Sequence, residues 1–187
     1  MDMKERLIES TRELLWERGY VGTSPKAIQE RSGAGQGSMY HHFSGKRDLA
    51  LAAIEREAAG LVARARTDLA GQGTVTERVT RYLRREREAL RGCPVGHLTM
   101  DPDVMADPVL RRPVAESLAA VVADLSAVLE EGRASGELDV DPLPTATALV
   151  AALQGGYVLA RASGDPAAYT RAVDGAVALL TRKEYGA

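Results

Sequence analysis

Apolar residues recur along this chain at three- and four-residue intervals, and nowhere do they alternate with polar ones over the length of a strand. Leu7, Thr11, Leu14 and Leu15 lay one such stripe on a helix over 3–18, which Gly19 stops so that Tyr20 and Val21 can fold back. Thr23-Ser24-Pro25 supplies a cap with proline at the first helical position, predicting a short helix over 25–31 that closes at Gly33. A very short helix fits 36–42, and Gly45 precedes a long one over 46–69, with Leu49, Ala53, Ala59 and Leu61–Val62 on its apolar side. Past the break at Gly71-Gln72-Gly73, helices are expected over 74–91, within 102–107, and over 109–132, 143–162 and 166–183. Nine helices and no strand make an all-α protein. The natural boundary falls near residue 50, dividing the chain into 1–50 and 51–187.

Composition agrees. The chain has 187 residues, 45% of them apolar, enough to bury a sizeable core. One cysteine, Cys93, excludes a disulfide framework and any multi-cysteine zinc site. No uninterrupted apolar run approaches the roughly 18 residues of a membrane span, and MDMKERLIES is too charged for a signal peptide. The expectation is a cytoplasmic protein without a membrane partner.

Net charge is only −2, yet it is unevenly spread. Residues 18–47 hold Arg18, Lys26, Arg31, Lys46 and Arg47 against Glu30, a balance of +4, so the remainder carries −6. Three of the four lysines, Lys4, Lys26 and Lys46, lie in the first quarter, and Lys183 is the fourth. A basic end on an acidic body suits a polyanion, although a solvated basic face would have the same composition.

Spacing adds what charge leaves open. A short helix, a three- or four-residue turn holding Gly33 and a second short helix have the proportions of a helix-turn-helix. Gly35, Gly37 and Ser38 at the start of the second helix let a backbone come close to DNA and leave N–H groups free to face a phosphate. Tyr40, His41 and His42 follow as hydrogen-bonding side chains.

The run GYVGTSPKAIQERSGAGQGSMYHHFSGKRDL, within residues 5–55, resembles the DNA-binding domain of the tetracycline-repressor (TetR) family. Its most specific part is Gly37-Ser38-Met39-Tyr40-His41-His42-Phe43 followed by Lys46 and Leu49, with Gly19-Tyr20 and Thr23 upstream. The segment Gly92-Cys93-Pro94-Val95-Gly96-His97-Leu98 is similar to the subgroup named after the repressor LmrA. Gln29, the turn Ser32-Gly33-Ala34 and Gly35 depart from the usual family residues, which bears on the bases read.

The resemblance implies an N-terminal three-helix DNA-binding domain and a helical domain for ligand binding and dimerisation. It implies a transcriptional regulator, a repressor, that binds a palindromic double-stranded operator as a homodimer and releases it when a small-molecule inducer binds. Met39 and Phe43 then belong to the core. Lys46, Tyr40 and His42, with Lys26 and the hydroxyls of Thr23 and Ser24, are candidates for phosphates. Gln36 and Ser38 are candidates for base edges, and His41 for either.

An enzyme needs a constellation that this sequence does not assemble. Adjacent His41 and His42 point about 100° apart on a helix and cannot share a metal, and Cys93 and His97 are separated by Pro94 and Gly96. No catalytic residue, metal or cofactor is expected. The alternative is an all-α enzyme or small-molecule carrier whose basic end is incidental. For the inducer pocket, Leu61, Met100, Met105, Leu118, Leu153, Gln154 and Tyr157 are candidates, and the scarcity of aromatics predicts a mostly apolar, aliphatic lining. For the dimer, Leu149, Ala152, Leu153, Gly156 and Ala160 are expected to face a partner together with Tyr169, Val173, Ala176, Val177 and Leu180, with Ala148, Ala152, Gly155 and Gly156 as a second face of very small residues that wants a partner.

Overall fold

The computed structural model describes residues 2–182, and every regular element among them is an α-helix. There are ten: α1 (Met3–Arg18), α2 (Pro25–Ser32), α3 (Gln36–His42), α4 (Lys46–Leu69), α5 (Val75–Arg84), α6 (Pro94–Leu98), α7 (Pro102–Ala106), α8 (Pro108–Ser135), α9 (Pro142–Ser163) and α10 (Ala167–Leu180). The all-α class holds, and the helix added to the expected nine is α6. The final helix ends at Leu180. Lys183, to which it was expected to run, lies outside the described residues.

Local chemistry accounts for most ends. Asp2 caps α1 by accepting the Glu5 N–H at 2.8 Å. Ser24 caps α2 by accepting the Ala27 N–H, and Thr74 and Glu77 form a reciprocal capping box on α5. The exception is the C-terminal end of α5, seven residues short of its expected end at 91. Arg87 turns back and donates to the carbonyls of Tyr82, Leu83 and Arg85 at 2.7–2.9 Å. Those carbonyls are satisfied without further turns, so a run of good helix formers leaves the helix.

The chain packs into two compact units. Of the described residues, one takes in 2–61 together with Pro94–Ser117; the other takes in Val62–Cys93 and 118–182. In the first, α1 packs against α2, α3 and α6, and Leu7, Leu14, Ile28, Met39, Leu49, Ile54, Leu98 and Leu110 are fully buried. In the second, α10 packs against α9 and α5 over a core including Val79, Leu83, Leu125 and Leu129.

The second unit corrects the expected partner face. Leu149, Leu153, Gly156, Ala160, Tyr169, Val173, Ala176, Val177 and Leu180 are all buried within the chain, and Ala152 is half-buried. Gly156 shows why: a Cβ there would stand 3.0 Å from the Tyr169 ring and 3.3 Å from the Ala172 methyl. These residues join α9 to α10 inside one subunit. The apolar residues left exposed lie on the other side, with Ala148, Ala151, Gly155, Val158 and Leu159 on α9 and Gly175, Ala178 and Leu179 on α10. By length and composition α9 could also cross a membrane, at a mean hydropathy of 1.3, although no unbroken apolar run marks it. Its inner face instead forms core with α10.

Candidate nucleic-acid interface

The turn between α2 and α3 is built from the residues that the sequence singles out. Gly33 ends α2 in the left-handed region at φ 67° and ψ 21°, with its N–H on the Gln29 carbonyl. A side chain at Gly33 would also meet the Arg6 guanidinium at 2.8 Å, and that group donates to the Ser32 carbonyl, tying α1 to the end of α2. Ala34 is buried beneath the turn.

α3 then presents two faces. Met39 is fully buried and Phe43 5% exposed, so both anchor the helix to the core as expected. Gln36, Gly37, Tyr40 and His41 face solvent, with Ser38 and His42 half-buried. The rings of His41 and His42 stand edge to face at 5.0 Å, and no metal-binding cluster occurs among the described residues. Gly35 caps α3 without a side-chain hydrogen bond, and a Cβ at Gly35 or Gly37 would meet nothing within 4 Å. Packing therefore does not require glycine at either place.

Folding redistributes the charge of this end. Arg31 is held bidentately by Glu17 at 2.7 Å, and Arg47 by Asp107, at 2.8 Å for one of the two contacts. Both carboxylates lie outside 18–47, so the local +4 is partly neutralised by residues folded onto it. Asp107 is held down at about 2, first by the Arg47 hydrogen bonds and then by the N–H groups of Val109 and Leu110. Lys26 remains extended into solvent, 3.9 Å from Glu30. Lys46 lies on the Tyr20 ring, its ammonium 4.0 Å from the centroid. Burial lowers the Lys46 pKa, opposed by the charges of Asp101 and Asp103.

Two expected contacts differ in kind. Ser24 is exposed, and its hydroxyl hydrogen remains free to donate while its oxygen caps α2. Thr23 is 1% exposed and donates to the Gly19 carbonyl at 2.7 Å, so its hydroxyl braces the turn and cannot reach a phosphate. Glu17, Asp101 and Asp107 escaped the sequence reading. Asp101-Pro102 and Asp107-Pro108 signal helix starts, but nothing local says which distant groups those carboxylates meet.

The expected pocket residues are divided between the two units. Leu61, Met100 and Met105 belong to the first unit, and Met100 is 81% exposed. Leu118, Leu153, Gln154 and Tyr157 belong to the second, where Leu153 and Tyr157 are buried and the other two half-buried. There the Tyr157 and Tyr169 rings lie 4.7 Å apart, and the buried Tyr169 hydroxyl makes no well-aligned hydrogen bond, with the Tyr157 hydroxyl and the Arg87 guanidinium as its polar neighbours. Burial raises the pKa of the Tyr157 phenol and pushes that of Tyr82 up to about 12, so both are neutral donors at pH 7.

Comparison with known proteins gives this arrangement its class. Residues 7–53 match the model for bacterial regulatory proteins of the tetR family, and residues 73–176 match the tetracyclin repressor-like C-terminal domain. The chain is 27% identical over 173 residues to the HTH-type transcriptional repressor NemR of Escherichia coli, covering 87% of this chain and 85% of that one. A TetR transcriptional regulator from Chloroflexus aurantiacus has the same fold, with a TM-score of 0.85 at 25% identity over 97% and 95% of the two chains. The HTH-type regulator LmrA of Bacillus subtilis is 39% identical over 54 residues, 28% of this chain and 29% of that one, too short a stretch to set a subgroup. The fold and its exposed reading helix define a helix-turn-helix regulator of transcription. The chain belongs to the tetracycline-repressor family.

Proposed function

We propose that this chain is a cytoplasmic repressor that binds a palindromic operator as a homodimer and releases it when a small, mostly apolar ligand binds. The reading rests above all on α3, anchored by Met39 and Phe43 with Gln36, Gly37, Tyr40 and His41 bare to solvent. Gln36 and Ser38 read base edges, His41 serves either base or phosphate, and Tyr40, His42, Lys46, Lys26 and Ser24 hold phosphates. Gly35 and Gly37 admit the backbone closely.

Residues 1–50 carry DNA binding, and 51–187 carry ligand binding and dimerisation. The second copy sits on the exposed side of α9 and α10, where Ala148, Ala151 and Gly155 permit close helix approach and Val158, Leu159 and Leu179 supply apolar area. Two-fold symmetry then sets two copies of α3 on half-sites about 34–36 Å apart. Leu153, Gln154 and Tyr157 line the ligand site in the second unit, and the Tyr169 hydroxyl, which makes no well-aligned hydrogen bond, gives an incoming acceptor a donor.

Selection of duplexes from a random pool, followed by titration at several salt concentrations, tests this reading. A palindromic consensus with salt-sensitive affinity is expected. Retention of no duplex would overturn it.

A further inference from the structure

One buried carboxylate in the first unit holds two distant segments at once. Asp101 is 7% exposed and sits between α6 and α7. Its Oδ2 accepts the N–H groups of Tyr20 and Val21 at 2.6 and 3.0 Å, across about eighty residues of sequence. Its Oδ1 accepts those of Asp103 and Val104 at 3.1 and 3.2 Å, capping α7. Four backbone donors on one carboxylate satisfy a buried charge that would otherwise be strongly destabilising.

The receiving turn is shaped for this contact. Gly19 has φ 70° and ψ −178°, a conformation reserved in practice for glycine. A Cβ there would lie 2.8 Å from Asp101 Oδ2. The same turn fixes both flanks of the DNA-facing surface. Thr23 donates to the Gly19 carbonyl directly before the Ser24 cap of α2, and the Tyr20 ring carries the Lys46 ammonium at the start of α4. The Arg47–Asp107 pair adds a second link between α4 and the residue that follows α7. The Gly19–Val21 turn is therefore tied both to the start of α2, beside Ser24, and to the start of α4, at Lys46.

We infer that Asp101 is a positioning residue for DNA binding: through Tyr20 and Val21 it lets the Pro94–Ala106 segment set the geometry of the reading head. Movement of that segment is then felt at the phosphate-binding residues directly. The inference rests on the DNA-binding function proposed above.

Asp101→Ser separates this role from helix capping. Serine caps a helix as well as aspartate does, yet it is too short to reach Tyr20 and Val21. Gly19→Ala attacks the same contact from the other side and leaves the α7 cap intact. With the duplex selected by the wild-type chain, both variants are expected to lose about tenfold in affinity, within the 5- to 150-fold typical of coupled sites. Amide exchange read by NMR should speed up at Tyr20 and Val21 in Asp101→Ser, with Val104 and the α9 amides unchanged. In the wild-type chain, operator binding should slow exchange at Tyr20 and Val21, a measurement that needs no variant. Equal or tighter operator binding by both variants, or wild-type exchange at Tyr20 and Val21 that ignores DNA, overturns the inference while leaving the DNA-binding reading intact. A wild-type chain that retains no duplex overturns both.

Discussion

Leu159→Glu tests which side of α9 meets a second copy. Leu159 is 57% exposed in the single chain. Burying a leucine completely is worth roughly 1.5–3 kcal/mol, so covering its exposed part yields about 1–2 kcal/mol per copy. A two-fold interface uses the residue twice, bringing the loss to about 2–4 kcal/mol per dimer. At about 1.4 kcal/mol per tenfold, dimerisation weakens by about 25- to 700-fold before repulsion between the two carboxylates is counted. On a free monomer surface the same change would alter stability by only about 0.5 kcal/mol. Leu153 makes the contrast. It is 4% exposed, so Leu153→Ala should cost about 2–5 kcal/mol of folding stability and leave the subunit contact in place. Sedimentation equilibrium from nanomolar to micromolar concentration, paired with thermal melts, separates the two effects. Equal dissociation constants for wild type and Leu159→Glu would refute the assignment of this face, as would a monomeric Leu153→Ala with an unchanged melt.

Lys46→Ala should weaken binding about equally on all duplexes and reduce the slope of log affinity against log salt by about 0.9; an unchanged slope with altered sequence preference would place Lys46 on a base. Gln36→Ala should relax selection at particular base pairs by about 1–3 kcal/mol, read by repeating the duplex selection with the variant. Gly37→Ala should leave the fold intact or raise its stability by up to about 1 kcal/mol, since its methyl meets nothing, yet weaken operator binding; undiminished affinity would mean that no DNA backbone comes close there. The Asp107 carboxylate titrates at about 2, below its ordinary 3.8, so its contribution to stability is complete above about pH 4 and disappears as pH falls through 2. An NMR carboxyl titration of Asp107 centred near 4 would show that the Arg47 pair is absent in solution.

Much of this protein could be read along the chain. The bounds of α1, α3 and α4 follow from the stripe Leu7–Leu15, the breaks at Gly19 and Gly45 and the caps, because helix periods and caps are set by residues within a few positions of one another. The span of α3 was legible for the same reason, whereas the burial of Met39 and Phe43 was expected from the family resemblance. α5 ends early because Arg87 reaches back to three carbonyls, an outcome that helix propensity, summed residue by residue, does not contain.

The tertiary structure alone decided which face of a two-sided apolar helix points inward. On α9, Leu149 and Leu153 alternate with Ala151, Val158 and Leu159 around the helix, and composition treats the two stripes as near equals. Tyr169 settles the choice by packing onto Gly156, which turns the expected partner face into core and leaves the other open. The pairing of Arg31 with Glu17, of Arg47 with Asp107 and of Asp101 with the Gly19–Val21 turn was likewise invisible in the chain. A carboxylate's sequence neighbours set whether it can cap a helix. Which distant donors it meets depends on where the packed helices bring their ends.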